Sequence, residues 1–583
     1  MSRGALVSWT NTELERSFKE IAELLELDGA DRFRVRAYER AAAAAAAARE
    51  DLGTVERERL TEVEGVGSST AEKIIEWREH GSMSLLEDLR ARVPSGVREL
   101  TGVPGLGPKL ARRLHDELGV DSLDALRAAI DAGDVAALSG LGAKRAENLR
   151  AGLSRLGGKD ADRHPIGDVL PLAERLVREL EELPSARAAA YAGSLRRLRE
   201  TIGDLDVLVA THHPGDVRAA VPELGPVAEV VSGGDRKLHV RSRSIDIGID
   251  IRFVPPDAWG AALCYFTGSK AHNVRVRERA VRRGLSLNEY GLWRDETRIA
   301  GSTEEEVYVA LDLPWISPSL REDTGEVEAG DSGHLPDVVE PADLCGDLHG
   351  HSDWSGDGRA SLDEMVAAAA SRGWDYWAVT DHAIGLAING LDTDGFARRR
   401  EAIAELRPRA GIAILDAVEL NIAVDGSVDF DDAELAGFDL CVAAIHTQMD
   451  RPRDVQTRRV LTAMANPHVH VIGHLTGRKI GRRPPIDLDV DAVVAEAVRT
   501  GTALEVNGSP ARLDLSGELV RKAVEAGATL TISSDAHEPG ELRNVETGVG
   551  TAQRGWARAA DVLNCRDADG LRAFVDEKRT GRG

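Results

Sequence analysis

At 583 residues the chain is too long for one hydrophobic core and is expected to divide into several domains. No apolar run reaches membrane-spanning length and no signal-peptide core opens the chain, so a soluble, cytoplasmic protein with no membrane partner is expected; four scattered cysteines, Cys264, Cys345, Cys441 and Cys565, give no thiolate metal site. A net charge of −25 argues against indiscriminate nucleic-acid binding, and ten lysines among 73 basic residues suit a salt-rich cytoplasm, where any DNA contact must rely on backbone amides and arginines rather than long-range attraction.

From the N-terminus, Leu14, Phe18, Ile21, Leu24 and Leu25 recur at helical spacing, with Asn11 or Thr12 available as a cap. Phe33, Val35 and Tyr38 then lead into an alanine-rich run ending at Ala48, so residues 11–50 are predicted to form packed helices. Three similar segments follow: Val63-Glu64-Gly65-Val66-Gly67, Val103-Pro104-Gly105-Leu106-Gly107 and Leu138-Ser139-Gly140-Leu141-Gly142, each opening a patterned helix. A Gly-apolar-Gly turn before a helix resembles the helix-hairpin-helix motif, whose backbone amides hold a DNA phosphate without reading bases. One such turn is as well explained as an ordinary helix link, but three in one chain favour phosphate binding.

A polar break at 157–162 precedes another helix. Gly193-Ser194, after an apolar run, then opens a helix start suited to a phosphate. The stretch 204–210 predicts a strand on which Asp204 and Asp206 share one face. Adjacent carboxylates repel, and a divalent cation resolves the conflict. A second strand is predicted at 244–253, with Ile245, Ile247, Ile249 and Ile251 on its apolar face. By spacing alone, either Asp246 or Asp250 on the polar face supplies a third carboxylate.

Gly-Ser at 193–194, Gly-Asp-Leu-Asp at 203–206, Ile-Asp-Ile-Arg at 249–252, Tyr-Phe-Thr-Gly-Ser at 265–269 and Leu-Asn-Glu-Tyr at 287–290 resemble, in order and spacing, the palm and thumb of family X DNA polymerases. The resemblance selects Asp250 and implies that Asp204, Asp206 and Asp250 bind two Mg²⁺ ions for nucleotidyl transfer from dNTPs. It further implies Gly193, Ser194 and Arg197 at the outer phosphates, Tyr265, Phe266 and Gly268 against sugar and base, Asn273 near the nascent pair, and Arg277 near the template. It departs at Gly248, where eukaryotic relatives often carry arginine, so an assisting contact to the primer end is expected to be missing. In the same family the lysine of an Ala-Glu-Lys-Ile run forms a Schiff base with a 5′-deoxyribose-phosphate; Lys73 holds that place, with a phosphate-contacting lysine as the alternative.

Residues 319–342, rich in Glu, Asp, Gly and Pro, are read as a flexible acidic tether. Beyond it, His349, His351, His382, His446, His474 and His537, with Asp381, Glu419 and Asp535, fall at the ends of β-like runs separated by amphipathic helices, as functional groups do on the active face of a β/α barrel. The set resembles the PHP (polymerase and histidinol phosphatase) domain, whose nine-ligand pattern maps onto His349, His351, Asp357, His382, Glu419, His446, His474, Asp535 and His537 and implies up to three Mn²⁺ or Zn²⁺ ions.

The expected fold is thus a multidomain α and α/β chain: a helical lyase-like domain with the first hairpin at 1–82, two more hairpins in a fingers-like domain at 83–160, a mixed-sheet nucleotidyltransferase palm at 161–255, a small thumb at 256–318, the acidic linker at 319–342, and a distorted β/α barrel at 343–583. The expected function is a monomeric repair polymerase that fills gapped or nicked DNA, with a PHP 3′–5′ exonuclease and a further abasic-site endonuclease or 3′-phosphatase capacity. The rival readings are a PHP domain that is only structural or senses DNA ends, and a non-catalytic DNA-end-binding protein.

Overall fold

The computed structural model describes residues 11–581 except 49–51, 53, 54, 64, 81, 82, 94–96, 98, 99, 102, 104, 105, 143, 144, 147, 148, 151, 152, 154–162 and 386–389. Gly105 and the polar break at 157–162 therefore lie outside the described residues. The chain divides into two compact units, Met1–Ala161 and Asp162–Gly583. No helix among the described residues is long and apolar enough to cross a membrane.

In the first unit, helices Asn11–Leu27 and Arg32–Ala47 pack through Leu14, Phe18, Ile21 and Leu25, all fully buried. Asp31 caps the second helix by accepting from the amides of Phe33 and Arg34. Asn11 bonds instead to the carbonyl of Ala48 and the amide of Leu52, so it fastens the far end of the pair. The three glycine segments share one turn: the amides of Val66, Leu106 and Leu141 each donate to the carbonyl three residues earlier, on Val63, Val103 and Leu138. Gly65 and Gly140 take φ of +89° and +81° at the third position of that turn, which only glycine adopts cheaply.

The second unit begins with β1 (His164–Pro165), helix Ile166–Glu181, β2 (Ala188–Tyr191), β3 (Thr201–Ile202), β4 (Leu205–Ala210), β5 (Val227–Gly233), β6 (Lys237–Ser242) and β7 (Gly248–Val254). Five of these strands form a mixed sheet in the order β2-β4-β7-β6-β5, with β4 and β7 parallel. Its apolar face, carrying Val207, Val209, Ile249 and Ile251, packs on the buried side of helix Ile166–Glu181. The second predicted strand starts later than expected: the amide of Ser242 bonds to the carbonyl of Ile247, so 243–247 is the turn joining β6 to β7 and Asp246 is exposed on it. Helices Trp259–Thr267, Lys270–Arg282 and Glu304–Ala310 and the antiparallel strands β8 (Ser286–Asn288), β9 (Gly291–Arg294) and β10 (Thr297–Ala300) follow.

Residues 319–342 are not a flexible tether. Arg321 and Glu326 are fully buried, and Glu326 sits in a short helix, Glu326–Ser332. Arg321 bonds at 2.7 Å to Glu304, which also holds Arg196, while Glu326 lies 2.7 Å from His272. The acidic composition signals partners inside the fold, not solvent.

The remainder is a seven-stranded parallel sheet in sequence order: β11 (Gly346–Gly350), β12 (Tyr376–Val379), β13 (Ala413–Asn421), β14 (Leu440–Ala444), β15 (Val471–Ile472), β16 (Ala503–Asn507) and β17 (Leu530–Ser533). Bonds from Asp535 to the His349 carbonyl and from His351 to the Ala536 carbonyl tie the end of β17 back to β11, closing a distorted barrel.

Candidate active sites

In the palm, the parallel register sets Asp206 directly beside Asp250. Asp204 is exposed one residue before β4. Burial first, and then the charges of Asp204 and Asp250, push the Asp206 carboxyl up to about 6, while Arg252 and Lys237 pull the other way. Asp250 is also half-buried, yet Lys237 Nζ at 2.6 Å and His239 Nδ1 at 2.8 Å outweigh that burial and hold its carboxyl below the ordinary range. The three carboxylates do not close on one point; Asp250 is turned to Lys237 and His239, two neighbours the sequence reading did not include. The donor set is nonetheless all-oxygen and crowded with negative charge, which fits a hard divalent cation. Gly193, with φ +60°, brings its backbone against Asp206, where a Cβ would lie 2.6 Å from Oδ2.

Arg252, 3.6 Å from Asp250 Oδ2, links the carboxylates to other residues expected at the nucleotide. Tyr265 and Phe266 meet edge to face at 5.0 Å, with the Arg252 guanidinium over Phe266 and that of Arg277 over Tyr265. Asn273 donates to the Tyr265 carbonyl, and Gly268 ends the helix that carries both rings. Ser194 is half-buried in the short turn Gly193–Arg196. Arg197 differs from expectation: its Nε is 3.0 Å from Glu322 and it also bonds to the Thr267 carbonyl, so it is engaged within the protein rather than turned to an outer phosphate.

In the first unit, a Cβ on Gly67, Gly107, Gly140 or Gly142 would meet nothing within 4 Å, so these turns are open from outside. Lys73 is tied to Glu76 at 2.5 Å and to Ser84 Oγ at 3.3 Å, so its amine is ion-paired.

The C-terminal cluster is closed and largely buried. Its nine side chains come from the C-terminal ends of the barrel strands or the loops after them. Glu419 is its hub, with Oε1 3.0 Å from His446 and His474 Nε2, and Oε2 2.8 Å from His382 Nδ1 and 3.3 Å from His349 Nε2. Asp357 Oδ2 lies 3.0 Å from His382 and 3.1 Å from His537, and Asp535 Oδ1 lies 3.4 Å from His351. Three overlapping groups bring candidate ligand atoms within 4.8 Å: His351, Asp357, His382 and His537; His349, His351 and Asp535; His382, Glu419 and His446. His349 Nε2, His351 Nε2 and Glu419 Oε2 are buried within ion-pair distance of opposite charge yet make no hydrogen bond of proper geometry, an arrangement that divalent cations among them would satisfy.

A second ring of residues, absent from the sequence reading, orients these ligands. Glu505 accepts from or pairs with His349 Nδ1 at 2.6 Å and accepts from the His474 amide at 2.6 Å. Asn421 Oδ1 meets His446 Nδ1 at 2.7 Å, and Asn507 donates to Asp535 at 3.0 Å. Such outer partners fix the tautomer and angle of a metal-binding imidazole.

Comparison with known proteins adds four family matches: a helix-hairpin-helix domain at residues 9–83, a SAM-like helix-hairpin-helix tandem at 97–155, the DNA polymerase beta thumb at 262–322 and the PHP domain at 347–506. The chain is 38% identical over 569 residues, 97% of its own length and 99% of the relative's, to the DNA polymerase/3′-5′ exonuclease PolX of Bacillus subtilis. It is also 31% identical over 201 residues to a probable phosphatase of Syntrophotalea carbinolica, covering 33% of this chain and 79% of that protein. It is 29% identical over 203 residues to the probable phosphatase YcdX of Escherichia coli, covering 33% of this chain and 78% of that protein.

Proposed function

Because the chain belongs to the PolX-type family X DNA polymerases, with helix-hairpin-helix segments ahead of the polymerase body and a PHP domain after it, we propose that it is a DNA polymerase with a 3′–5′ exonuclease that fills short gaps during DNA repair. The observation that carries the polymerase half is the pairing of Asp206 with Asp250 across two parallel strands, with the backbone of Gly193 against the same carboxylate. Asp204, Asp206 and Asp250 hold divalent cations, two Mg²⁺ in this reading, and the nine-residue cluster holds Mn²⁺ or Zn²⁺. Bound cations supply Lewis acidity and neutralise charge on the reacting phosphates at both sites.

The protein's own groups do the positioning. His239 keeps Asp250 in one orientation, and the Tyr265–Phe266 pair offers an apolar wall to sugar and base. Arg197 reaches an outer phosphate only if it leaves Glu322, so its part in nucleotide binding requires that ion pair to open. The open glycine turns hold duplex phosphates beside a gap or nick, which suits an acidic chain because backbone amides do not depend on net charge. Glu505, Asn421 and Asn507 lock the imidazoles and Asp535 toward the scissile phosphate. The same cluster suits an abasic-site or 3′-phosphate monoester as well as a 3′ phosphodiester. The ion pair of Lys73 with Glu76 gives the lyase reading no support. We take the protein to act as a cytoplasmic monomer.

The test is direct: purified protein with gapped DNA, dNTPs and either Mg²⁺ or Mn²⁺, with products resolved by length. Extension to the gap's end with dNTPs, and stepwise shortening of the 3′ strand without them, is the expected result. Neither lengthening nor shortening would sink the reading.

A further inference from the structure

Beside the barrel's cluster, facing the palm, lies a patch of basic side chains that neither site uses. Two loops build it: 475–486, which follows His474 and turns at the Lys479–Arg483 bridge, and 508–515, which follows Asn507. Both loops are fastened to the palm. Ile480 and Leu513 pack into its apolar core. Arg478 grips Glu200 through both guanidinium ends, at 2.7 and 3.2 Å, and donates to the carbonyls of Arg512 and Leu513. Glu200 immediately precedes β3, and Gly203 and Asp204 follow that two-residue strand.

At the opposite edge, Arg512 Nε lies 3.4 Å from Oδ2 of Asp535, and its Nη1 is buried with no hydrogen-bond partner. Lys479, Arg482 and Arg483 stand around it. Arg483 donates to the Gly477 carbonyl, but no acidic side chain among the described residues pairs with Lys479, Arg482 or Arg483. On a chain of net charge −25, three basic side chains without a carboxylate partner, gathered beside Arg512, make an anion site. Arg478 and Arg512 place it between two centres that act on the same strand.

We propose that Lys479, Arg482, Arg483 and Arg512 form a groove for the sugar-phosphate backbone of single-stranded DNA, which carries an unpaired 3′ end from the palm to the barrel's cluster. The proposal rests on the exonuclease reading and adds the path by which its substrate arrives. Arg512, half-buried against Asp535, meets the phosphate nearest the cluster; Lys479 and Arg482, exposed on the loop, meet those upstream. The Arg478–Glu200 clamp fixes the length of the path.

The experiment uses the full chain with Lys479→Gln and Arg482→Gln combined, both exposed and outside the ligand set. Three substrates are compared in Mn²⁺: a single-stranded oligonucleotide, gapped DNA with a paired 3′ end and dNTPs, and bis(p-nitrophenyl) phosphate, which is too small to reach the loop. The double variant is expected to raise the oligonucleotide KM about tenfold and to flatten the salt dependence of kcat/KM by about 1.4 in log–log slope, two contacts at roughly 0.7 each for single strands. Hydrolysis of the small diester and extension of the paired end stay at the wild-type rate. An unchanged KM and salt slope overturns the groove, as does an equal loss on the small diester, which would make the loop a support for the cluster. A wild-type protein that cleaves neither the oligonucleotide nor the diester overturns the exonuclease reading itself and the groove with it.

Discussion

His239 Nδ1 stands 2.8 Å from Oδ1 of Asp250, its direct partner across the β6–β7 register. Gly248 makes the room: a Cβ there would lie 2.9 Å from the imidazole Cε1. Gly248, read from the sequence as a missing contact to the primer end, thus has a second consequence at Asp250. Support arrives from the neighbouring strand, and glycine is the condition for it.

Removing that support should loosen the third carboxylate without unfolding the palm, since His239 is partly exposed. His239→Ala is expected to lower single-nucleotide insertion by about 10- to 100-fold, the usual effect of deleting an outer partner of a metal-binding group. His239→Asn, whose amide nitrogen takes the place of Nδ1, recovers part of the loss, and 3′ resection is unaffected by either. Wild-type insertion by His239→Ala across a Mg²⁺ titration would show that Lys237 alone holds Asp250.

Asp206 opposes function to stability. Burial and two neighbouring carboxylates disfavour its charge, pushing the carboxyl up to about 6. Asp206→Asn removes that conflict, so in chelator the variant is expected to be more stable than wild type by about 1–2 kcal/mol while losing extension altogether. Denaturant unfolding with EDTA and then with Mg²⁺ checks the sign: the ion should stabilise wild type by more than it stabilises the variant. A variant less stable than wild type in EDTA would mean the carboxylates are already compensated.

Glu304 ties Arg196 of the palm to Arg321 at the end of the thumb match. Burial, the largest influence, raises its carboxyl, but hydrogen bonds and charge from the two arginines win and hold it well below the ordinary range. A depressed folded value means that the stabilisation is complete above the unfolded value of about 4.5 and is lost as pH falls from there toward the folded one. Glu304→Gln lacks it at every pH. The variant should be about 3–5 kcal/mol less stable at pH 7, the cost of stranding buried charge, and the gap should narrow below pH 4.5. Urea melts at pH 7 and pH 3.5 measure it; a constant gap would refute the assignment.

Features set by local chemistry were legible in the sequence. Gly65 and Gly140 could be read because a turn with positive φ demands glycine, and Asp206 because a two-residue period puts it opposite the apolar face. The alternation of 244–253 misled at its start, since a tight turn such as 243–247 can carry the same pattern as a strand. Composition failed at 319–342, because nothing local says that Arg321 will find Glu304 or that Glu326 will find His272. His239, Lys237, Glu505 and Asn421 were missed for one reason: each acts on a neighbour supplied by another strand. A faint signal existed for Glu505 and Asn507, polar residues two apart in an apolar run that ends like the other ligand-bearing strands.

The barrel cluster makes the sharpest test of metal dependence, because its geometry is costly without cations. Glu419 is fully enclosed by imidazoles, and nitrogen and oxygen atoms at its centre make no hydrogen bond of proper geometry. Any ion that binds there stabilises the fold by mass action, about 2.7 kcal/mol at a free concentration one hundred times Kd. Chelation should therefore lower the Tm, Mn²⁺ or Zn²⁺ should restore it, and His349→Ala should abolish both the restoration and 3′ resection while primer extension in Mg²⁺ survives. Glu505→Gln divides ligand from orienting partner: all nine candidate ligands remain, but His349 Nδ1 loses the carboxylate at 2.6 Å. The concentration of Mn²⁺ needed for half-maximal resection should rise about 10- to 100-fold with full activity recovered at saturation. If saturating ion fails to recover it, Glu505 takes part in the hydrolysis and is more than a brace for His349.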